Sequence, residues 1–135
     1  MGMKFQLQFA SGKPIYLQLM DQVKAAAAAG SVGVGEALPS VRVLAEELRV
    51  NRNTVAKAYT ELEREGVVET SPGRGCFIRA GASPLKKSVR EQRLAIELDA
   101  VIVQAHHLQV PDADLRSLLE DRLDHFHQTR KEHGV

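Results

Sequence analysis

Apolar positions change their spacing several times along this chain, and each change marks an element. Phe5, Leu7 and Phe9 alternate with Lys4, Gln6 and Gln8, the period-2 signature of a short strand. Ser11-Gly12-Lys13 then turns the chain, and Pro14 suits the first position of a helix. From there Ile15, Leu19, Val23 and Ala27 recur at helical spacing, with Tyr16 and Met20 alongside. The alanines at 25–29 favour helix and let a neighbouring helix approach closely, so they read as packing rather than low complexity. Gly30 ends this helix, and residues 31–38, SVGVGEAL, read as a loop.

Pro39-Ser40 opens a short second helix, with Ser40 as its cap and Val41, Leu44, Ala45 and Leu48 as its inner face. Arg49-Val50 turns the chain into a third helix, whose Val55, Ala58, Tyr59 and Leu62 fall at i, i+3, i+4 and i+7. Asn51 or Asn53 caps its start, and Gly66 stops it where a left-handed residue is wanted. The result is a helix with a buried stripe and a polar tip of Asn51, Arg52, Asn53 and Thr54. Two short helices joined by a tight turn form helix-turn-helix organisation. Residues 67–70 and 76–79 are then β-type runs around the tip Ser71-Pro72-Gly73-Arg74-Gly75, a hairpin placed as a wing.

Residues 80–84, AGASP, form a small-residue linker that divides the chain into a domain at 1–80 and a region at 81–135. Beyond it two helices are predicted at about 85–109 and 112–131, separated by Val110-Pro111. The first is apolar on two sides: Leu85, Val89, Ile96, Ala100 and Val103 on one, Leu94, Leu98, Val101, Ile102, Ala105 and Leu108 on the other. The second carries one stripe, Leu115, Leu118, Leu119, Leu123 and Phe126, so as a helical hairpin it can cover one face of its partner and not both. The uncovered face, taken as the one from Leu94 to Leu108, packs either on the winged module or on a second copy of the chain, a homodimer. The fold class expected is mainly α with a small β wing: a winged helix-turn-helix followed by a C-terminal helical hairpin for dimerisation.

The 135 residues, 44% hydrophobic and 26% charged, are ordinary for a soluble globular protein. No apolar run approaches a membrane span, the first residues lack a secretory apolar core, and the single Cys76 excludes an internal disulfide. These features point to a reducing compartment, with cytoplasm as the default. A net charge of +1 argues weakly against nucleic acid. Residues 1–80 hold ten Lys/Arg against eight Asp/Glu, and 81–135 hold eight against nine, so the halves carry +2 and −1. DNA contact must therefore rest on local placement of Arg42, Arg52, Lys57 and Arg74.

Residues 14–19, PIYLQL, 38–66, LPSVRVLAEELRVNRNTVAKAYTELEREG, and 73–78, GRGCFI, together strongly resemble the DNA-binding domain of the GntR family of bacterial transcription regulators. The run NRNTVAKAY and the short C-terminal part are similar to the YtrA-like subgroup. The resemblance is specific over 14–79 and rests on length and helical character over 85–131. It implies a winged helix-turn-helix that binds a palindromic operator as a dimer, usually as a repressor, with the C-terminal helices dimerising and transporter operons as frequent targets. By position it places DNA contacts on Arg42, on Asn51, Arg52, Asn53 and Thr54, on Lys57, and on the wing residues Gly73, Arg74 and Gly75. Three departures stand out: Ala56 replaces an arginine of other branches, Val34-Gly35-Glu36 replaces Pro-Gly-Asp, and Cys76 replaces a threonine.

Arginine pairs bidentately with guanine and asparagine with adenine, which assigns base readout to Arg52 and Asn53. Ser40, Arg42, Thr54 and Lys57 are expected on phosphates, and Arg74 in a flanking minor groove. Each has a plainer reading: the third helix is an ordinary capped surface helix, and Arg42 pairs with Glu46 four residues along. Other functions fit less well. His106 and His107 are adjacent and His125 and His127 two apart, neither at the i, i+4 spacing of a helical metal site, so no cofactor is expected, although a metal- or ligand-responsive variant stays open. Cys76 is expected as a small buried thiol, against a redox-switch alternative. No Gly-rich phosphate loop or nucleophile–base pair is present at motif spacing, so the chain does not read as an enzyme. A winged helix serving only protein contacts is the remaining alternative.

Overall fold

The computed structural model describes residues 3–79 and 85–132, so the 80–84 linker lies outside the described residues. In chain order the elements are α1 (Ile15–Ala29), α2 (Val41–Leu48), α3 (Arg52–Arg64), β1 (Val68–Ser71), β2 (Gly75–Ile78), α4 (Lys87–His107) and α5 (Asp112–Glu132). Helices α1, α2 and α3 pack on one another, with β1 and β2 closing the end of the bundle. Their apolar stripes meet in one core in which Leu19, Val23, Leu44, Val55, Leu62 and Val68 are fully buried. Each such side chain contributes about 1.5–3 kcal/mol relative to exposure. The α3 stripe read from spacing, Val55, Ala58, Tyr59 and Leu62, is buried throughout.

The N-terminal segment departs from expectation. Residues 3–8 keep the alternation of half-buried and exposed positions but form no strand. No sheet lies beside them. The backbone bonds instead to two glutamines one turn apart on α1. Gln6 N–H donates to Gln22 Oε1 at 2.9 Å and its carbonyl accepts from Gln22 Nε2 at 2.7 Å. Gln8 repeats the pattern with Gln18, at 2.8 and 3.0 Å. Each carboxamide thus offers the donor and acceptor that a neighbouring strand would supply.

The wing also differs in detail. Strand β1 begins one residue later than the sequence suggests, and β2 pairs with it antiparallel, Val68 opposite Ile78 and Ser71 opposite Gly75. The three-residue loop carries Pro72 and then Gly73 at φ 74°, with Arg74 N–H donating to Ser71 carbonyl at 2.9 Å; proline followed by a positive-φ glycine is what a type II turn asks for. The stretch read as a loop before α2 borders the free edge of β2 through one isolated bridge and three backbone hydrogen bonds. Gly35 and Leu38 N–H donate to the Ile78 and Cys76 carbonyls, Ile78 N–H donates to the Glu36 carbonyl, and Ala37 faces Phe77.

The C-terminal helices do not form the packed hairpin that the spacing suggests. Helix α4 ends at a turn in which Val110 N–H donates to Ala105 carbonyl, and α5 begins just beyond it at Asp112. The two do not pack along their length: Leu98 is 48% exposed, Ile102 52%, Leu118 51% and Leu123 42%. Ala105, at the elbow, is the buried exception. Rather than lying on α4, α5 reaches α1. Sequence periodicity gives the apolar stripes but not which surface they meet. Among the described residues no helix is long and apolar enough to cross a membrane.

Candidate nucleic-acid interface

The start of α2, the body of α3 and the β1–β2 loop border one hollow, and the polar tip of α3 lies one turn before Ala56. Helix α2 begins at Ser40, whose hydroxyl oxygen accepts from Val43 N–H at 3.2 Å. That bond uses an acceptor lone pair and leaves the hydroxyl hydrogen available to an outside oxygen. Arg42 in the first turn is exposed and lies 3.5 Å from Glu46, the i, i+4 pair anticipated from spacing. Both partners are more than half exposed, so this pair is weak and easily exchanged for another anion.

The turn between α2 and α3 is made by Arg49 in the left-handed region at φ 57°. Of the two cap candidates for α3, the structure selects Asn51: its Oδ1 accepts from Asn53 N–H at 2.7 Å. The cap turns the Asn51 oxygen toward its own helix, whereas no partner to the Asn53 carboxamide stands among the described residues. Arg52 and Asn53 are exposed at the tip, Thr54 is half-buried behind them, and Lys57 follows one turn later on the same exposed side. Lys57 Nζ lies 4.0 Å from the centre of the Tyr16 ring at the start of α1, a cation–π contact that holds the ammonium at the surface.

Tyr59, on the buried side of α3, donates from its hydroxyl to the Pro39 carbonyl at 2.7 Å. Burial pushes its phenol well above the ordinary range, and the Cys76 thiol adds to this, so the hydroxyl stays protonated as a donor. That bond fixes the residue preceding Ser40 to α3, and so fixes the α2 and α3 tips relative to each other. Glu63 accepts from Thr70 N–H at 3.0 Å and ties α3 to the wing. Gly73, Arg74 and Gly75 are exposed at the wing tip. Between wing and helices lies a hollow of about 470 Å³ whose lining includes Ser40, Ala56, Thr60, Arg74 and Cys76. The small Ala56 side chain is part of that lining.

Cys76 is buried, as the sequence suggests, and burial raises its thiol pKa; a hydrogen bond with Thr70 lowers it and nearby Glu63 raises it further. The thiolate needed for redox chemistry is therefore disfavoured. Of the six apolar residues expected at a dimer contact, Leu94, Leu98, Val101, Ile102 and Leu108 are exposed, while Ala105 is buried within the chain. Sequence reasoning missed Tyr16 beneath Lys57, the Gln18 and Gln22 clasp, and the bridge from Ala37 to Phe77. The i, i+4 spacing of the two glutamines was visible as a signal; the others needed coordinates.

Residues 15–78 match the model of the bacterial regulatory proteins of the gntR family. The sequence is 40% identical over 105 residues to the HTH-type transcriptional repressor YtrA of Bacillus subtilis (strain 168), covering 78% of this chain and 81% of that one. It is 48% identical over 71 residues to the HTH-type transcriptional regulator YhcF of the same organism, covering 53% and 59%. Among solved structures, a transcriptional antiterminator from Listeria monocytogenes EGD-e superposes with a TM-score of 0.80 at 29% identity, over 93% of this chain and 94% of that one. YtrA from Sulfolobus acidocaldarius, a GntR-family transcription factor, gives 0.60 at 32% identity, over 73% and 97%. These relatives are regulators rather than enzymes, and their likeness spans both the winged helices and the C-terminal arm. With its helix-turn-helix, its wing and these matches, the chain belongs to the GntR family of bacterial regulatory proteins.

Proposed function

We propose that this protein is a transcriptional repressor that binds an inverted-repeat operator as a homodimer. In this reading residues 1–80 are the DNA-binding domain and 81–135 the dimerisation region. The observation that carries it is the tip of α3, where Arg52 and an uncommitted Asn53 carboxamide project from a helix whose other side is buried. Arg52 and Asn53 read base edges in the major groove. Ser40, Arg42, Thr54 and Lys57 hold phosphates around them, and Asn51 contributes through its amide hydrogens while its oxygen caps α3. Arg74 enters the neighbouring minor groove from the wing, with Gly73 and Gly75 allowing the backbone to approach.

Dimerisation follows from the exposed apolar positions of the C-terminal arm. Leu94, Leu98, Val101, Ile102 and Leu108 on α4, with Leu118, Leu119, Leu123 and Phe126 on α5, are large apolar side chains left exposed, the kind of surface that marks an interaction site. A second copy covers it and places two tips on one side of a duplex. Occupying an operator excludes polymerase and requires no chemistry. The target is a promoter beside the regulator's own gene, of the transporter kind that the family resemblance implies.

The test is selection of duplexes from a random library by the purified protein, followed by sedimentation of the free protein and of the complex. Recovery of an inverted repeat bound by two chains supports the proposal. A monomer that binds every sequence alike, or none, replaces it with a winged-helix module for protein contacts.

A further inference from the structure

Helix α5 is a rod of 21 residues, about 31 Å long. Leu115 near its start is half-buried at the elbow; positions 116–128 are exposed; Thr129 and Arg130 at its far end are half-buried again. What Arg130 meets there is the end of α1. Its Nη1 donates to the carbonyl oxygen of Ala28. The last carbonyls of a helix have no intrahelical donor. In α1 the backbone N–H groups that follow go to Ala26 and Ala27, and the last turn holds no basic residue of its own. Arg130 thus supplies both a missing donor and the positive charge that a helix C-terminus favours. The Phe126 ring, one turn back, lies 6.0 Å from its guanidinium carbon. Its stem borders a hollow of about 370 Å³ shared with Ala27, Val32, Val67 and Ile78, between α1 and the base of the wing.

Helix α1 is in turn fastened to α3. Tyr16 underlies Lys57, and Lys24 pairs with Glu65 at 2.6 Å. The direction of α1 is therefore the direction of the reading tip.

We propose that Arg130 is a positioning residue: by capping α1 from the far end of α5, it sets the angle between the C-terminal arm and the recognition helix, and so the half-site spacing that the dimer accepts. This rests on the operator-binding reading above. Two tips fixed by rigid arms match half-sites about one helical turn apart, and one added base pair moves a half-site by about 3.4 Å. With the brace cut, the angle between head and arm is no longer fixed at this contact, and the shift is tolerated.

The experiment uses the full chain, wild type, Arg130→Ala and Arg130→Lys. The probes are the inverted repeat selected by the wild type, the same repeat with one base pair added or removed, and a duplex with a single half-site. Arg130→Ala is expected to bind the single half-site within about twofold of wild type, while its preference for the native spacing over the altered ones falls about tenfold, because the second contact loses effective concentration. Arg130→Lys, which keeps a cationic donor, retains most of the preference. An unchanged spacing profile in Arg130→Ala, or an equal loss on half-site and full operator, overturns the inference while leaving operator binding intact. A wild type that selects no inverted repeat overturns both.

Discussion

Replacing Tyr59 by phenylalanine removes one oxygen and tests whether the α2 and α3 tips are held together as described. The hydroxyl donates to Pro39 carbonyl at 2.7 Å, and the ring is 8% exposed, so the substitution keeps the packing and deletes the bond. A neutral hydrogen bond with a partly buried carbonyl is worth about 1–1.5 kcal/mol. The loss has a pH signature. Burial raises the folded phenol above its ordinary value, so on alkalinisation the unfolded chain loses its proton first. The contribution is complete below about pH 10, the unfolded value, and declines as pH climbs toward the folded one. By about pH 11 the wild type gives up about 1.4 kcal/mol that Tyr59→Phe does not, and the other titrating groups are common to both proteins. Urea unfolding followed by circular dichroism, at about pH 8 and about pH 11 and equal ionic strength, should show the wild type ahead at the lower pH and level with the variant at the higher. A gap of the same size at both pH values refutes the buried-donor account, and no gap at the lower pH refutes the bond.

Arg52→Ala should relax base preference and cost about 1–3 kcal/mol on the selected operator, whereas Lys57→Ala should weaken all duplexes alike and flatten the salt slope by about one unit; competition binding at several salt concentrations separates them. Gln18→Ala removes the carboxamide that bonds Gln8, Ser11 and Lys13, so it should cost about 1–2 kcal/mol and speed exchange of the Gln8 amide before global unfolding. A charge inserted by Leu98→Glu on the exposed face of α4 should turn the dimer into a monomer by sedimentation while leaving single half-site binding unchanged.

Much of the winged module was legible because each of its helices has one apolar stripe and its own stop signals. Val55, Ala58, Tyr59 and Leu62 occupy one side of any helix built from that sequence, and Ser40, Asn51 and Gly66 mark ends by their hydrogen bonding or backbone freedom. What the sequence left hidden depends on partners distant along the chain. Alternation at Phe5, Leu7 and Phe9 predicts a strand; Phe5 and Leu7 are half-buried, but Phe9 is exposed in a turn, and what the segment bonds to is a pair of glutamine side chains. The loop before α2 meets the sheet at Ala37 because β2 offers its free edge. The α4 and α5 stripes were found, yet which surface each meets is a tertiary fact: α5 abandons α4 and spends Arg130 on α1. At the tip, spacing left Asn51 and Asn53 equivalent as caps, and one 2.7 Å bond makes Asn51 the cap.

The small net charge also finds its explanation along α3. Between Asn51 and Thr60 the only charges are Arg52 and Lys57; Glu61, Glu63 and Glu65 all lie in the final turns. Each of these carboxylates is engaged away from the tip, Glu61 with Arg64 at 3.1 Å, Glu63 with Thr70 N–H, and Glu65 with Lys24. The helix is thus positive at the end where its own dipole is positive. A near-neutral chain can therefore present a local cationic tip, with few charges to spend. In the proposed complex each protomer would place Arg42 and Lys57 on phosphates as cations and Arg74 in a groove. For a dimer that is about four to six phosphates neutralised, and a plot of log affinity against log salt should fall with a slope of about −3.6 to −5.4. A slope near −8 or steeper would mean that basic residues outside this tip carry the binding, and the division between reading and holding drawn here would fail with it.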